Sequence, residues 1–130
     1  MTLTFCTLYG NGASTGGGLS TEDNTYQSPT AYATSTMLNS LIAGNQASQD
    51  PDVAGKLITN GYNLIQNTKG SVILDPNHKH HTDLINRPPS EINIDLHLQL
   101  NRSTTTQTHA LLPGSPAIDA IPRAACLLTS

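Results

Sequence analysis

The chain has 130 residues and a formal net charge of −3, and only 12% of its residues are charged. This length predicts one domain, or a piece of a larger one. The few Lys and Arg residues give no basic surface for nucleic acid or an anionic membrane, so neither is an expected partner. No apolar run approaches the length of a membrane-spanning helix, so membrane insertion by this chain is not expected.

The polar residues are mostly neutral, because Thr, Asn, Ser and Gln supply most of them. Thr is favoured in strands and Asn in turns, so this composition predicts a strand-rich protein. Trp is absent and aromatic residues make up 4% of the chain, which leaves an aliphatic core. The hydrophobic share of 36% is low for a compact globule. A stack of repeats tolerates it, because each repeat buries only a thin inner row.

A short pattern occurs three times: an apolar residue, then a small or flexible linker, then Asn. The copies are Leu8–Asn11, Leu41–Asn45 and Leu64–Asn67. The first repeat offset aligns Leu8 with Ile42, and the second, which is shorter, aligns Ile42 with Ile65. The first offset also aligns further pairs: Leu3 with Met37, Cys6 with Ser40, Gly10 with Gly44, and Asn11 with Asn45. Such periods predict a solenoid in which Asn11, Asn39, Asn45 and Asn63 are turn residues whose side chains stack.

Apolar alternation and turn residues place the expected elements along the chain. We expect strands at Leu3–Leu8, around Leu19, at Ala33–Ile42 as a pair with a corner at Asn39, and at Val53–Ile58, Tyr62–Ile65, Ser71–Leu74 and Ile92–Leu100. Turns are expected at Gly10–Gly12 and Asn60–Gly61, and loops at 21–32 and 46–52. The proline-containing segment 75–90 is expected to be irregular. Ile92–Leu100 is the cleanest two-residue alternation in the chain.

Two families share motifs with this chain. The stretches Leu8–Ala13 and Gly16–Leu19 resemble the polymorphic outer membrane protein repeat, with Leu8 at its Phe position and Gly18 in place of an Ala. Longer stretches resemble the bacterial choice-of-anchor Q domain: Asn39–Asn45, Pro51–Val53, Gly61–Ile65 and Thr106–Asp119. The matches extend over most of residues 3–126. One departure is that Ser103-Thr104-Thr105 stand where the family has Gly-Gly-Pro.

The resemblance implies an all-β fold, a right-handed single-stranded parallel β-helix with few coils and an irregular C-terminal segment. Residues 1–130 would then be a single domain, with coils in 1–74, an inserted loop at 21–32, and a loop-rich terminal part in 75–130. It also implies a parent protein that is secreted or exposed on the bacterial cell surface, and a domain defined by no reaction. The sequence shows neither a signal peptide nor an anchor, so we expect a fragment of that parent or a truncated product.

His78, His80 and His81, together with Asp75 and Asp83, are the one metal-like cluster. In an extended segment His78 and His80 would share a side, and three imidazoles with a carboxylate can bind zinc. Flanking prolines and Lys79 favour a solvated loop instead. We therefore assign no metal site and expect no cofactor, with the three histidines as weak candidates only.

Asp50 and Asp52 form a close pair of carboxylates, the residue type that glycosidases use. Asp52 matches the Pro-Asp turn of the resembled family, which makes it a structural position. A polysaccharide-binding or polysaccharide-cleaving protein is the alternative function, and a row of exposed aromatic residues would favour it. The four tyrosines, Tyr9, Tyr26, Tyr32 and Tyr62, are too few and too unevenly spaced for such a row.

Two other groups of reactive residues are predicted to be structural. Ser115 has His109 and Asp119 nearby in sequence, but it lacks the Gly-x-Ser-x-Gly elbow of hydrolases and is expected to be a turn serine. Cys6 and Cys126 lie near opposite ends and are expected to be separate thiols, each a small buried residue. No catalytic residue is assigned.

The sequence thus predicts a non-enzymatic, secreted or cell-surface scaffold of adhesin-like type. Surface glycans or other proteins are its expected partners. Because strand edges without a partner invite pairing, self-association through the exposed ends of the repeat stack is also expected.

Overall fold

The structure, a computed structural model, describes residues 1–21, 33–101 and 105–126. The chain divides into two compact units, the first unit at Met1–Arg87 and the second unit at Pro88–Ser130. The predicted loop at 21–32 lies outside the described residues apart from Thr21, which ends a strand.

The first unit is built from short strands. They are β1 (Thr2–Thr4), β2 (Thr7–Tyr9), β3 (Gly12–Thr15), β4 (Leu19–Thr21), β5 (Thr34–Leu38), β6 (Leu41–Ala43), β7 (Gln46–Gln49), β8 (Val53–Thr59), β9 (Leu64–Ile65), β10 (Ser71–Leu74) and β11 (Leu84–Ile85). A 3-10 helix occupies His80–Thr82. Every pairing between these strands is parallel.

The described strands form three separate sheets. The first has the order β1-β5-β8-β10, with β4 also paired to β8. The second has the order β2-β6-β9-β11, and the third contains β3 and β7. Consecutive strands of the chain therefore mostly belong to different sheets, and the strands that pair within a sheet are distant in sequence.

The register between these strands is the one that the sequence repeats predict. Leu3 pairs with Met37 and Leu8 with Ile42, which confirms the first repeat offset. Ile42 pairs in turn with Ile65, which confirms the second. The register is fixed because a slip by one position would turn the whole buried row of each strand outward.

Left-handed backbone conformations fix the bends between the strands at equivalent positions. Phe5, Asn39 and Tyr62 have φ values of 53°, 51° and 55°, and the two repeat offsets that relate the strands also relate these three residues. Asn39 fits this conformation well, and it is the predicted corner between β5 and β6. Phe5 and Tyr62 are bulky residues for which a positive φ is uncommon.

The core of the first unit is aliphatic, as the composition predicts. Its buried members are Leu19, Met37, Ile42, Val53, Leu57 and Ile65, and Leu3, Leu8, Ile73 and Ile85 pack against them. They come from strands of the first two sheets. Burying a Leu or Ile side chain of this kind contributes about 1.5–3 kcal/mol relative to its exposure.

The second unit contains two short helices, α1 (Pro89–Ile92) and α2 (Arg123–Cys126). Pro89 stands at the start of α1, where its fixed φ suits a helix, and Asn93 ends it with a φ of 47°. Two isolated antiparallel bridges, Ile94 with Leu111 and Gln99 with Thr108, connect the segments that follow.

The predicted fold class is wrong. The sequence predicted an all-β, right-handed single-stranded parallel β-helix, but the described residues form three separate parallel sheets together with short helices, which is a mixed α/β arrangement. Two of the three helical segments arise where local chemistry favours a turn of helix. These places are the proline-led start of α1 and the segment 80–82, where Asp75 accepts the first amides.

Several predicted element boundaries are also wrong. Leu3–Leu8 is not one strand, because the positive φ of Phe5 separates β1 from β2. The predicted loop 46–52 contains β7, and the predicted irregular segment 75–90 contains the 3-10 helix, β11 and the start of α1. Ile92–Leu100 is not a strand. The predicted strands at Leu19, Ala33–Ile42, Val53–Ile58 and Ser71–Leu74 are confirmed, with small differences at their ends.

Candidate functional site

The histidine-rich segment predicted as a weak metal candidate folds around Asp75. Its carboxylate accepts the backbone N–H of Lys79 at 2.6 Å and that of His80 at 3.0 Å. These are the residues at which the 3-10 helix begins, so Asp75 supplies acceptors for otherwise unpaired amides. Partial desolvation acts to raise the pKa of Asp75, but the two N–H donors and the nearby His78 and His80 outweigh it and lower that pKa.

His80 and Asp83 form a close pair in the described part of the first unit, an imidazole next to a buried carboxylate. His80 Nδ1 lies 3.1 Å from Asp83 Oδ2. The Asp83 side chain is only 1% exposed, whereas that of His80 is 36% exposed. A carboxylate beside Nδ1 favours the tautomer that carries its hydrogen there, which leaves Nε2 as the acceptor nitrogen of the ring.

The other oxygen contacts of Asp83 all come from the chain itself. Thr59 Oγ1 donates to Oδ2 at 2.6 Å, and the backbone N–H and side-chain amide of Asn63 donate to Oδ1 at 2.9 Å and 3.0 Å. Asp83 therefore connects a strand and a bend of the first unit to the end of the 3-10 helix. Its placement serves the packing of these elements as well as the orientation of His80.

The remaining histidines do not complete a metal site around this pair. The extended conformation assumed for this segment is wrong, because His78 has a φ of 53° and His81 lies in the 3-10 helix. Within residues 1–21, 33–101 and 105–126 there is no group of three or more His, Cys, Asp or Glu side chains placed to hold a metal ion.

Asp52, one of the two candidate carbohydrate-cleaving acids, is buried at 1% exposure. Its Oδ1 accepts the side-chain amide of Asn45 at 2.9 Å and the backbone N–H of Asn45 at 3.3 Å. Burial raises the pKa of Asp52, although hydrogen bonds from Asn45 and from the backbone of Asn67 act in the opposite direction. This environment agrees with the predicted structural role of Asp52.

Asp50, the second acid of that pair, lies in a different environment. It has a φ of 51° just after β7, and its carboxylate lies so close to Gly70 that a methyl group there would overlap it. Asp50 is half-buried, whereas Asp52 is enclosed. Glycoside hydrolysis requires two carboxyl groups that both reach the substrate bond, and the carboxyl group of Asp52 is enclosed in this structure.

Of the four asparagines predicted to stack, Asn11 and Asn45 do so between repeats. Asn11 donates both its backbone N–H and its side-chain amide to Asn45 Oδ1, at 2.9 Å and 3.0 Å. Sequence reasoning missed that Asn45 and Asn63 each donate to an Asp partner in the same way, Asp52 and Asp83. The pairs are separated by 7 and 20 residues, so no single spacing in the sequence indicates them.

The serine candidate and the histidine near it in sequence each contact a backbone atom. In the second unit, Ser115 Oγ accepts the backbone N–H of Ala117 at 3.4 Å, and His109 Nδ1 lies 2.7 Å from the carbonyl oxygen of Asp95. Cys6 and Cys126 are both free thiols. The expectation that both are buried is wrong, because Cys6 is half-buried and Cys126 is exposed.

Comparison of the chain with models of known protein families, with curated proteins and with solved structures found no match. The resemblance to the choice-of-anchor Q domain and to the outer membrane protein repeat therefore stays a prediction.

Two of the tyrosines considered for carbohydrate binding, Tyr26 and Tyr32, lie outside the described residues. No helix in the described part of the chain has the length and apolar character needed to cross a membrane.

Proposed function

We propose that the chain is a non-enzymatic scaffold segment of a secreted or cell-surface protein, which displays a neutral polar surface to glycans or to other proteins. The observation that supports this proposal is how its carboxylates are used. Asp52, Asp75 and Asp83 accept amide and hydroxyl protons of the chain itself, at the bends and at the start of the 3-10 helix. They act as positioning groups for the backbone.

The composition of the chain supports the same role. Its polar residues are Thr, Ser, Asn and Gln more than charged residues, since only 12% of the chain is charged. A surface of this kind offers hydrogen bonds to sugar hydroxyls and to protein backbones without selecting partners by charge. Hydrogen bonds between Asn and Asp side chains, those of Asn45 with Asp52 and of Asn63 with Asp83, would hold the bends of such a scaffold in place.

The test is incubation of the folded chain with a panel of acidic and neutral polysaccharides, with and without calcium, followed by chromatography of the products. We expect every polysaccharide to keep its length, and any interaction to appear as retention on a glycan array. Release of oligosaccharides by wild type, lost in Asp50→Asn and kept in the matched Glu91→Gln, would instead establish the carbohydrate-cleaving alternative. A circular dichroism spectrum of each variant checks that its fold is intact.

A further inference from the structure

The basic side chains of this charge-poor chain are concentrated at one place in the first unit. His78, Lys79, His80 and His81 follow one another, and they include three of the five histidines of the whole chain. His78, Lys79 and His81 are exposed, and His80 is half-buried. We call residues 75–83, which contain these four side chains between two aspartates, the histidine-rich segment.

The two carboxylates of the histidine-rich segment bond to donors of the chain itself. The carboxylate of Asp75 accepts the backbone N–H of Lys79 at one oxygen and that of His80 at the other. The side chain of Asp83 is 1% exposed, and it accepts donors from the bend at 59–63. The exposed chemistry of the segment is therefore that of its imidazoles and its ammonium group.

The histidine-rich segment has a defined shape, because it is bonded to the bend at 59–63 at both of its ends. Asn77 donates to the side-chain oxygen of Asn60 at 3.1 Å. Thr82 Oγ1 accepts the backbone N–H of Tyr62 at 2.9 Å. A surface held in this way loses less conformational entropy on binding a ligand than a flexible loop does.

The charge of the histidine-rich segment changes sign between neutral and mildly acidic pH. Two carboxylates and one ammonium group give it a charge of −1 while its imidazoles are neutral, and protonation of the three imidazoles changes this to +2. Carboxyl groups ordinarily stay ionised over this range. Despite partial desolvation, the N–H donors of His80 and Lys79 lower the pKa of Asp75, which keeps its carboxylate ionised.

The neighbouring elements do not oppose this change of charge. The bend at 59–63 has one titratable side chain, the phenol of Tyr62, and phenols are ordinarily neutral at these pH values. The flanking strands β10 and β11 contain no titratable side chain. The pH dependence of the surface charge therefore comes from the three histidines.

The composition of the histidine-rich segment favours one class of polyanion. The segment contains no Phe, Tyr or Trp on which nucleobases usually stack, and no Leu, Ile, Val or Met that could enter a membrane. At its start, Asn77 and Asn60 place two amide groups beside the imidazoles, and amides bond to hydroxyl groups as donors and acceptors. A sugar chain that carries sulfate or carboxylate groups has both kinds of partner.

We propose that the histidine-rich segment is a binding site for an acidic polysaccharide, which it binds at mildly acidic pH and releases at neutral pH. Protonated His78 and His81, together with Lys79, bind the sulfate or carboxylate groups through charge-assisted hydrogen bonds. At neutral pH the segment is negative overall, so it no longer attracts the polysaccharide. The choice of a polysaccharide as the partner rests on the scaffold function proposed above.

The test is fluorescence anisotropy of labelled dextran sulfate titrated with the full chain at about pH 5.5 and about pH 7.5, at one ionic strength. Unsulfated dextran of the same length is the matched ligand. We expect the dissociation constant for dextran sulfate to be about tenfold or more lower at the acidic pH, because two charged hydrogen bonds are gained. Dextran should bind at neither pH.

Matched variants locate the site. His81→Gln and His97→Gln each remove one exposed imidazole, the second from outside the segment, so they change the net charge equally. We expect His81→Gln to weaken binding at acidic pH and His97→Gln to bind like wild type. A double variant, His78→Lys with His81→Lys, keeps its charge at neutral pH and should bind dextran sulfate at both pH values. Circular dichroism verifies that each variant is folded.

Several results would overturn the proposal. They are equal affinity of wild type at both pH values, equal weakening by His81→Gln and His97→Gln, and tighter binding of polyglutamate than of dextran sulfate, which would indicate an acidic polypeptide instead. Dextran sulfate that stays unbound and at full length would overturn this site alone. Dextran sulfate that is bound but shortened would overturn the scaffold function instead.

Discussion

Two apolar segments, one in each unit, show how little a local pattern decides alone. Val53–Thr59 in the first unit alternates imperfectly, yet it is the longest strand of the described chain and pairs on both sides, with β4 and β5 and with β10. Ile92–Leu100 in the second unit alternates better, yet it contains only the end of α1 and two isolated bridges. Leu96, Leu98 and Leu100 are 68%, 52% and 53% exposed.

The comparison shows that a segment of alternating apolar and polar residues forms a strand only where neighbouring strands are available to pair with it. β8 has neighbours because the chain returns to the same register, with Leu57 opposite Ile73 on one side and Ser35 on the other. The segment after Asn93 has no such repeat. Ile94 is buried, but Leu96, Leu98 and Leu100 remain exposed, although their spacing suits a half-buried strand.

The largest expected change in the free energy of unfolding comes from placing a charged side chain in the buried core of the first unit. Ile42 has 0% exposure, so Ile42→Asp would bury an unpaired carboxylate and should cost roughly 3–5 kcal/mol, enough to abolish the cooperative melt of a marginally stable unit. Leu98→Asp, in the exposed alternation of the second unit, should change the free energy of unfolding by less than about 0.5 kcal/mol. Thermal melts followed by circular dichroism measure both. If Ile42→Asp kept a cooperative melt, the assigned core would be wrong.

A smaller effect is expected where strands of the first unit approach closely. A Cβ on Gly18 would lie 2.7 Å from the side chains of Asn45 and Ile42, so Gly18→Ala should cost about 1–3 kcal/mol through overpacking. Gly12 is the matched control, because its nearest atom, the carbonyl oxygen of Gln46, would be 4.0 Å away. Urea unfolding of the two variants makes the comparison. Equal stabilities would show that the strands near Gly18 separate at little cost.

The smallest effect concerns two acids of the first unit, the buried Asp52 and the half-buried Asp75. Burial raises the pKa of Asp52 above 3.8, so its contribution to stability is complete below pH 3.8 and is lost as pH rises through the folded-state pKa. The Asp52→Asn variant should not lose stability in this way as pH rises. The lowered pKa of Asp75 gives the opposite sign, because its contribution is present above pH 3.8 and is lost as pH falls through the folded-state pKa.

Urea titrations at a series of pH values would separate the two acids. The Asp52→Asn curve should lie closest to wild type at acidic pH and rise relative to it towards neutrality, and Asp75→Asn should flatten only the acidic limb. A pH dependence unchanged by either substitution would contradict the environments described for both carboxyl groups.

The candidate site was predictable only where it follows the repeat. The first repeat offset, which aligns Leu8 with Ile42, also places Asn11 on Asn45, and their side chains do meet. The pairing of His80 with Asp83, and of Asp83 with Asn63, was not predictable. It requires a 3-10 helix whose first amides Asp75 holds, and a strand pairing between segments that are distant in sequence.

The sequence by itself determined the pairing register, because the two repeat offsets align Leu3 with Met37, Leu8 with Ile42 and Ile42 with Ile65, and a slip by one position would turn the buried row outward. It also determined the corner at Asn39 and the aliphatic core. Only the tertiary structure decided the mixed α/β arrangement, the separation of the strands into three sheets, and the exposure of Leu96, Leu98 and Leu100. These depend on which distant segments become neighbours, and a side chain is buried only when a neighbour is there to cover it.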